Sequence, residues 1–180
     1  MHGDFADGLF PGLPWFLDDL HPQGFLGRLF ARQHGRELGA DSDPRLWTDA
    51  QVLATLLRHG HDLSGDLVLG DSALSVALGA PTTPEFSADS DRLPLFGRLS
   101  AAALQGDLPG SSAAGEQPKF TCRQRLRNGR ARHWLVKFSP PLDTPHGQRW
   151  ADLLVCEQIT GEILRQYKVP AAQSEWLADG

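Results

Sequence analysis

The chain has 180 residues, of which 41% are hydrophobic and 22% charged, and its formal net charge is −5. This composition excludes an intrinsically disordered protein, and the acidic balance argues against non-specific nucleic-acid binding over the whole surface. We therefore predict a soluble, globular, cytoplasmic protein without direct nucleic-acid binding.

The sequence lacks the patterns of membrane insertion and secretion. No apolar stretch approaches the roughly 20 residues that a membrane span requires. Residues 1–12 have neither the basic region nor the apolar region of a signal peptide. The two cysteines, Cys122 and Cys156, have no metal-type spacing, so we expect two reduced thiols rather than a disulfide.

Helix signals dominate residues 14–78. Thr48 and Gln51 form a capping-box pattern that predicts the start of a helix, and Gly60 is a candidate for its end. Residues 66–70 follow a Ser-Gly turn and predict a short strand. An earlier helix is indicated by apolar residues that recur at helical spacing, namely Trp15, Phe16, Phe25, Leu26, Leu29 and Phe30.

The middle of the chain alternates between loop and helix signals. Residues 79–92 combine proline, serine, threonine and aspartate, a composition that predicts a linker. A short helix is expected next, ending near Gly106. A stretch rich in glycine, serine and alanine then leads to Lys119.

A hairpin is predicted after that stretch. Residues 119–126 and 131–138 have strand composition, and Asn128 and Gly129 lie between them. This dipeptide favours a tight turn in which both central residues adopt positive φ. We expect the two strands to pair antiparallel.

The last third of the chain predicts a long helix and a final strand. The helix is expected over residues 148–167 and the strand over residues 169–178. The candidate buried positions of the helix are Trp150, Leu153, Leu154, Ile159, Ile163 and Leu164.

These elements predict an α+β fold. A small helical N-terminal subdomain is expected over residues 1–78, a linker over 79–92, and part of a kinase N-lobe over 93–180, with an antiparallel sheet and one long helix. The order of loop, strand, turn, strand, helix and strand is that of a protein-kinase N-lobe, and we expect the C-lobe to be absent from this chain.

Lys137 is the first candidate for chemistry. Large apolar residues flank it in its strand, and burial of an unpaired ammonium is unfavourable. In a kinase lobe the lysine at this place contacts ATP phosphates and a helix carboxylate, whereas a solvent-facing edge lysine is the simpler alternative. The small-residue loop before it and the helix after it favour the nucleotide interpretation. Asp152 and Glu157 are both candidates for the pairing acid, and the sequence does not choose between them.

The loop before Lys119 is the second candidate. Ser111, Ser112 and Gly115 have little or no side chain, so their backbone N–H groups could approach a phosphate closely. An ordinary flexible linker is the alternative. On the phosphate interpretation, residues 111–119 are expected to become ordered only when nucleotide is bound.

A metal site is not predicted. His59 and His61 with Asp62 could begin a metal site, but no third ligand is evident in the sequence. A polar turn at a helix end is the interpretation we adopt for this group.

Four segments carry a family resemblance. Residues 112–120 (SAAGEQPKF) and 135–140 (LVKFSP), together with 16–24 and 57–67, resemble the HipA family of bacterial toxin–antitoxin Ser/Thr kinases, and are closest to its YjjJ-like branch. The resemblance implies that Ser112 is an autophosphorylation site. The ATP contacts that it implies involve Ser112, Ala113, Ala114, Gly115, Lys119 and Lys137.

The resemblance also implies cofactors and partners. ATP and Mg²⁺ are the expected cofactors, but we expect no Mg²⁺ ligand and no catalytic residue in this chain, because the family places them in its second lobe. The implied partners are that C-terminal kinase lobe, a DNA-binding antitoxin, and aminoacyl-tRNA synthetases as substrates. Two alternatives stay open: a non-catalytic module that docks on a separate lobe or antitoxin, and a domain that binds a nucleotide or anion for another purpose.

One activity prediction follows from these expectations. The chain alone should bind ATP weakly or not at all and should not phosphorylate Ser112, because phosphoryl transfer depends on positioning and metal, and positioning alone is worth about 7–11 kcal/mol. The measurement is incubation with labelled ATP and Mg²⁺ beside a Ser112→Ala variant. Label on the parent chain that disappears in the variant would contradict the prediction.

Overall fold

The computed structural model describes residues 12–63, 67–79, 83–107 and 115–177. Within these ranges it has six α-helices and one three-stranded sheet, which confirms the α+β class. In chain order the elements are α1 (Trp15–Asp18), α2 (Gly24–His34), α3 (Asp49–His59), α4 (Gly70–Ala77), β1 (Glu85–Phe86), α5 (Arg92–Gln105), β2 (Lys119–Arg125), β3 (Ala131–Lys137) and α6 (Pro145–Gln166), with short 3₁₀ helices at Pro44–Leu46 and Asp89–Asp91.

The first three helices pack around an apolar cluster. The predicted capping box starts α3: the Gln51 N–H donates to Thr48 Oγ1 at 3.4 Å, and the Thr48 N–H donates to Gln51 Oε1 at 2.9 Å. Gly60 is the C-cap of α3, as predicted. The buried residues of the cluster are Leu17, Leu20, Ala31, Trp47, Val52 and Leu56.

The sheet is mixed, and this corrects two expectations. β2 is central: it pairs antiparallel with β3, as predicted, but parallel with β1. Phe86 of β1 is buried and contacts the Phe96 ring edge-on, with ring centroids 5.9 Å apart. Residues 79–92 therefore supply an edge strand and are not only a linker, although the domain boundaries stay predictions. A strand of two residues is too short for a periodic sequence pattern to reveal it.

The hairpin turn differs in type from the prediction. Gly129 has φ of +78°, but Asn128 is not among the residues of the described ranges with positive φ. The Gly129 N–H donates to the Leu126 carbonyl at 3.0 Å, and the Leu126 N–H donates to the Arg130 carbonyl at 2.8 Å. The connection therefore has one left-handed residue, Gly129, instead of the two that the predicted turn requires. This is typical of a longer hairpin loop that ends in glycine.

α6 starts earlier and is less buried than predicted. Thr144 caps its N-terminus by accepting the Gly147 N–H at 3.0 Å, and proline occupies the first helical position. Of its predicted core residues, Trp150 and Leu154 are half-buried. The prediction was wrong for the exposed members Leu153, Ile159, Ile163 and Leu164.

Two predicted strands are not formed. Residues 67–69 have no strand pairing and lead into α4 at Gly70, and residues 169–177 have no regular secondary structure. Side chains hold the latter segment instead: Arg92 makes two hydrogen bonds of 2.9 Å to Glu175. Both cysteines are free thiols, as expected. In the described part of the chain, no helix combines the length and apolar character of a membrane span.

Candidate functional site

The candidate site centres on two lysines that the hairpin brings together. Lys119 at the start of β2 and Lys137 at the end of β3 are direct partners in the antiparallel register. Directly opposed residues project from the same face of a sheet, and two like charges there repel each other. Lys119 is nevertheless only 3% exposed, and the Lys137 side chain is 27% exposed. The fold therefore places two lysine side chains opposite each other at a largely buried position of the sheet.

The acid that pairs with Lys137 is Glu157. Its carboxylate accepts a hydrogen bond from Lys137 Nζ and forms an ion pair with it, whereas Asp152 is exposed on α6. The N-terminus of α6 is held against the preceding loop, since a Cβ on Gly147 would lie only 2.0 Å from the Pro141 carbonyl oxygen. That close approach sets the start of the helix from which Glu157 reaches the sheet.

The electrostatics of Lys119 favour an anionic ligand. Burial lowers the pKa of its ammonium, and the nearby charge of Lys137 lowers the pKa further, while Glu116 and Glu157 act in the opposite direction. Negative charge near Lys119, whether from these carboxylates or from a ligand, favours its charged form.

Gly115 is the first residue, after residue 107, that the structure describes in the small-residue loop before Lys119. Its φ is +105°, a conformation that glycine adopts without strain, and a Cβ on it would lie 2.8 Å from Lys119 Nζ. A larger residue at this position would therefore require the ammonium of Lys119 to shift. Nearby, the Gln117 side-chain Nε2 is buried without a hydrogen-bond partner among the described residues. Ser111, Ser112, Ala113 and Ala114 lie outside the described residues, so the predictions on them are untested.

Sequence reasoning missed that α2 holds this loop. The Phe25 N–H donates to the Gly115 carbonyl at 2.9 Å, and Arg28 pairs with Glu116 at 2.6 Å. A Cβ on Gly24 would lie 2.4 Å from the same carbonyl oxygen. The available signal was Gly24 in the segment 16–24, which has a family resemblance but no visible link to the loop.

The comparisons with known proteins agree with part of the resemblance. The family model described as YjjJ-like toxin, middle domain, matches residues 1–78. The chain is also similar to Toxin YjjJ of Escherichia coli (strain K12), with 40% identity over 175 residues that cover 96% of this chain and 39% of the relative. Both comparisons therefore show similarity to YjjJ-like toxins. No solved structure matches it.

The match to the YjjJ-like middle domain includes only part of the candidate site. Gly24, Phe25 and Arg28 lie within the matched residues 1–78, whereas Gly115 and the two lysines lie beyond them. The contacts between α2 and the loop thus join the matched region to the part of the chain that carries the charged groups.

Proposed function

We propose that this chain is the N-terminal portion of a HipA-like Ser/Thr kinase toxin of a toxin–antitoxin system, and that it contributes contacts to the phosphates of ATP. The observation that carries the proposal is the ion pair between Lys137 of β3 and Glu157 of α6. A lysine on the second strand of a hairpin that pairs with an acid on the following helix is the arrangement by which kinases hold a lysine against ATP phosphates.

Lys119 and Gly115 support the same proposal. The lysine provides a second charge beside the first, and the glycine lets the loop backbone come close to it. In the proposed role, Lys137 and Lys119 orient the phosphates, and Glu157 holds Lys137 in place. ATP with Mg²⁺ would supply the transferable phosphoryl group and neutralise its developing charge.

The toxin part of the proposal comes from the relative. The chain spans 39% of the length of Toxin YjjJ, so the activity of that whole protein is carried over here only as a proposal. A C-terminal kinase lobe, a DNA-binding antitoxin and aminoacyl-tRNA synthetase substrates are proposed on the same terms.

A second candidate function is a docking module for a separate kinase lobe. It is favoured by the apolar side chains that α6 exposes, namely Leu153 (49%), Val155 (39%), Ile159 (49%), Ile163 (47%) and Leu164 (37%). A stoichiometric complex with a co-expressed kinase lobe, lost in Ile159→Asn while the nucleotide contacts persist, would favour this module. A complex that tolerates the substitution would count against it.

Nucleotide titration followed by NMR tests the phosphate contacts. We expect ATP to bind in the millimolar range and to shift the resonances of Gly115, Lys119 and Lys137, because these groups contact phosphates from one side. Adenosine, which has no phosphates, should leave those resonances in place.

Matched lysine variants complete the test. Lys137→Met should weaken ATP binding about tenfold or more, since it removes a charge-assisted hydrogen bond. Lys168→Met removes the same charge from an exposed site after α6 and should have no effect. Shifts that adenosine reproduces, or equal effects of the two variants, would refute the proposed contacts.

A further inference from the structure

Two helix ends meet at a group of side chains that the proposed kinase role does not use. His34 is the last residue of α2, Glu37 lies in the turn that follows it, and His59 is the last residue of α3. The two imidazole rings lie 4.3 Å apart between centroids and are tilted by 32°. Glu37 bridges them: one carboxylate oxygen is 3.9 Å from His34 Nδ1 and the other is 3.7 Å from His59 Nε2.

We propose that His34, Glu37 and His59 form a binding site for a divalent transition-metal ion, and that its ion is Zn²⁺. One donor atom from each residue lies within 4.8 Å of the others. Ligands about 2.1 Å from zinc lie roughly 3.4 Å apart in a tetrahedron, so a small contraction of the side chains is enough to bind the ion. Two imidazoles with one carboxylate are a recurrent donor set for zinc and leave a fourth position for water or another ligand.

The surroundings favour a cation over a stacked histidine pair. His59 Nε2 is buried and makes no hydrogen bond among the described residues, which leaves a lone pair or an N–H group unsatisfied. The C-terminal ends of α2 and α3 both converge here, and the carbonyl ends of helices attract positive charge.

The neighbouring side chains shape the site and limit its chemistry. The Phe30 ring packs against both imidazoles, with centroid distances of 4.7 Å to His34 and 5.7 Å to His59. The opposing charge is Arg58, 3.9 Å from Glu37, but its side chain is 57% exposed and free to turn toward solvent. With two nitrogen donors, the set suits zinc better than Mg²⁺ or Ca²⁺, which prefer oxygen ligands. The ion would join the ends of α2 and α3. The other end of α2 contacts the small-residue loop at Gly115.

The sequence could not show this site. His59 and His61 alternate at the end of α3, and the spacing suggested only those two histidines with Asp62. The fold instead supplies His34 and Glu37 from α2 and its following turn.

Zinc titration of the chelator-treated 180-residue chain tests the proposal. We expect saturable binding of one Zn²⁺ per chain by calorimetry. Co²⁺ in its place should give the intense visible absorption of a four-coordinate ion. His59→Gln and Glu37→Gln should each weaken Zn²⁺ binding by about tenfold or more. His133→Gln, which changes an exposed histidine of β3, should leave it unchanged.

The Glu37 variant keeps the test decisive. Glu37 is 56% exposed, so its substitution should preserve the fold even if His59→Gln does not, and circular dichroism of the metal-free variants will check this. Saturating Zn²⁺ should also raise the melting temperature of the parent chain but not that of Glu37→Gln. Failure of the parent to bind Zn²⁺ saturably, or binding that is equal in Glu37→Gln, would overturn the proposal.

Discussion

Phe120→Ala is expected to lower the free energy of unfolding by about 3–5 kcal/mol, the usual range for removing a buried phenylalanine. Phe120 lies on the central strand and has no exposed surface. Its ring lies 5.7 Å from that of Phe96 and 5.9 Å from that of Phe138, so alanine would leave a cavity between α5, the sheet and the chain after β3. Urea unfolding followed by circular dichroism measures the loss.

Leu153→Ala is the matched control for that substitution. Leu153 is 49% exposed on α6, and alanine has the highest helix propensity, so the change should stay within about 0.5 kcal/mol. A loss below about 1 kcal/mol for Phe120→Ala, or equal losses for both variants, would show that the sheet core is not as described.

Gly24→Ala is expected to lower the free energy of unfolding by about 2–4 kcal/mol, from backbone strain and overpacking together. Gly24 has φ of +67°, and the new methyl group would lie 2.4 Å from the carbonyl oxygen of Gly115. The α2 helix would have to move away from the loop. The hydrogen bond from Phe25 to that carbonyl would be lost with it. In the NMR titration, we therefore also expect ATP to shift the Gly115 resonance less in this variant than in the parent chain.

Gly39→Ala separates the two causes. Gly39 has a similar φ of +61°, but a Cβ on it would meet no atom within 4 Å. Gly39→Ala should therefore lose only about 1–2 kcal/mol, the strain of an alanine in the left-handed conformation. ATP should shift the Gly115 resonance of this variant as much as that of the parent chain. If the two variants lose the same stability and keep the same ATP response, α2 does not hold the loop.

Local chemistry made part of this fold predictable. The capping box at Thr48 and Gln51, the end of α5 at Gly106 and the hairpin around Gly129 each depend on a few neighbouring residues. Such signals act within one element, so they can be recognised without the rest of the chain. The register was not predictable in the same way: a two-residue turn at Asn128 and Gly129 would place Lys119 opposite Phe138, whereas the longer loop places it opposite Lys137.

The rest depends on contacts between distant segments. The choice of Glu157 over Asp152 depends on where α6 is placed relative to Lys137, which helical periodicity alone does not determine. The approach of Gly24 to Gly115 joins two loops that no local pattern connects. The apolar pattern of α6 predicted burial, but side chains such as Ile159 are exposed because packing, not periodicity, decides which residues are covered.

The most direct measurement uses the three lysines of the chain, Lys119, Lys137 and Lys168. An acyl phosphate of ATP transfers its acyl group to a lysine amine beside the bound phosphates and releases ATP, and peptide mass spectrometry then locates the acyl group. Low pKa alone would also make Lys119 reactive, so the decisive comparison is with and without excess ATP. We predict that excess ATP suppresses acylation of Lys119 and Lys137 and leaves Lys168 unaffected. Acylation of all three lysines to the same extent, with no suppression by ATP, would contradict a phosphate site at Lys119 and Lys137.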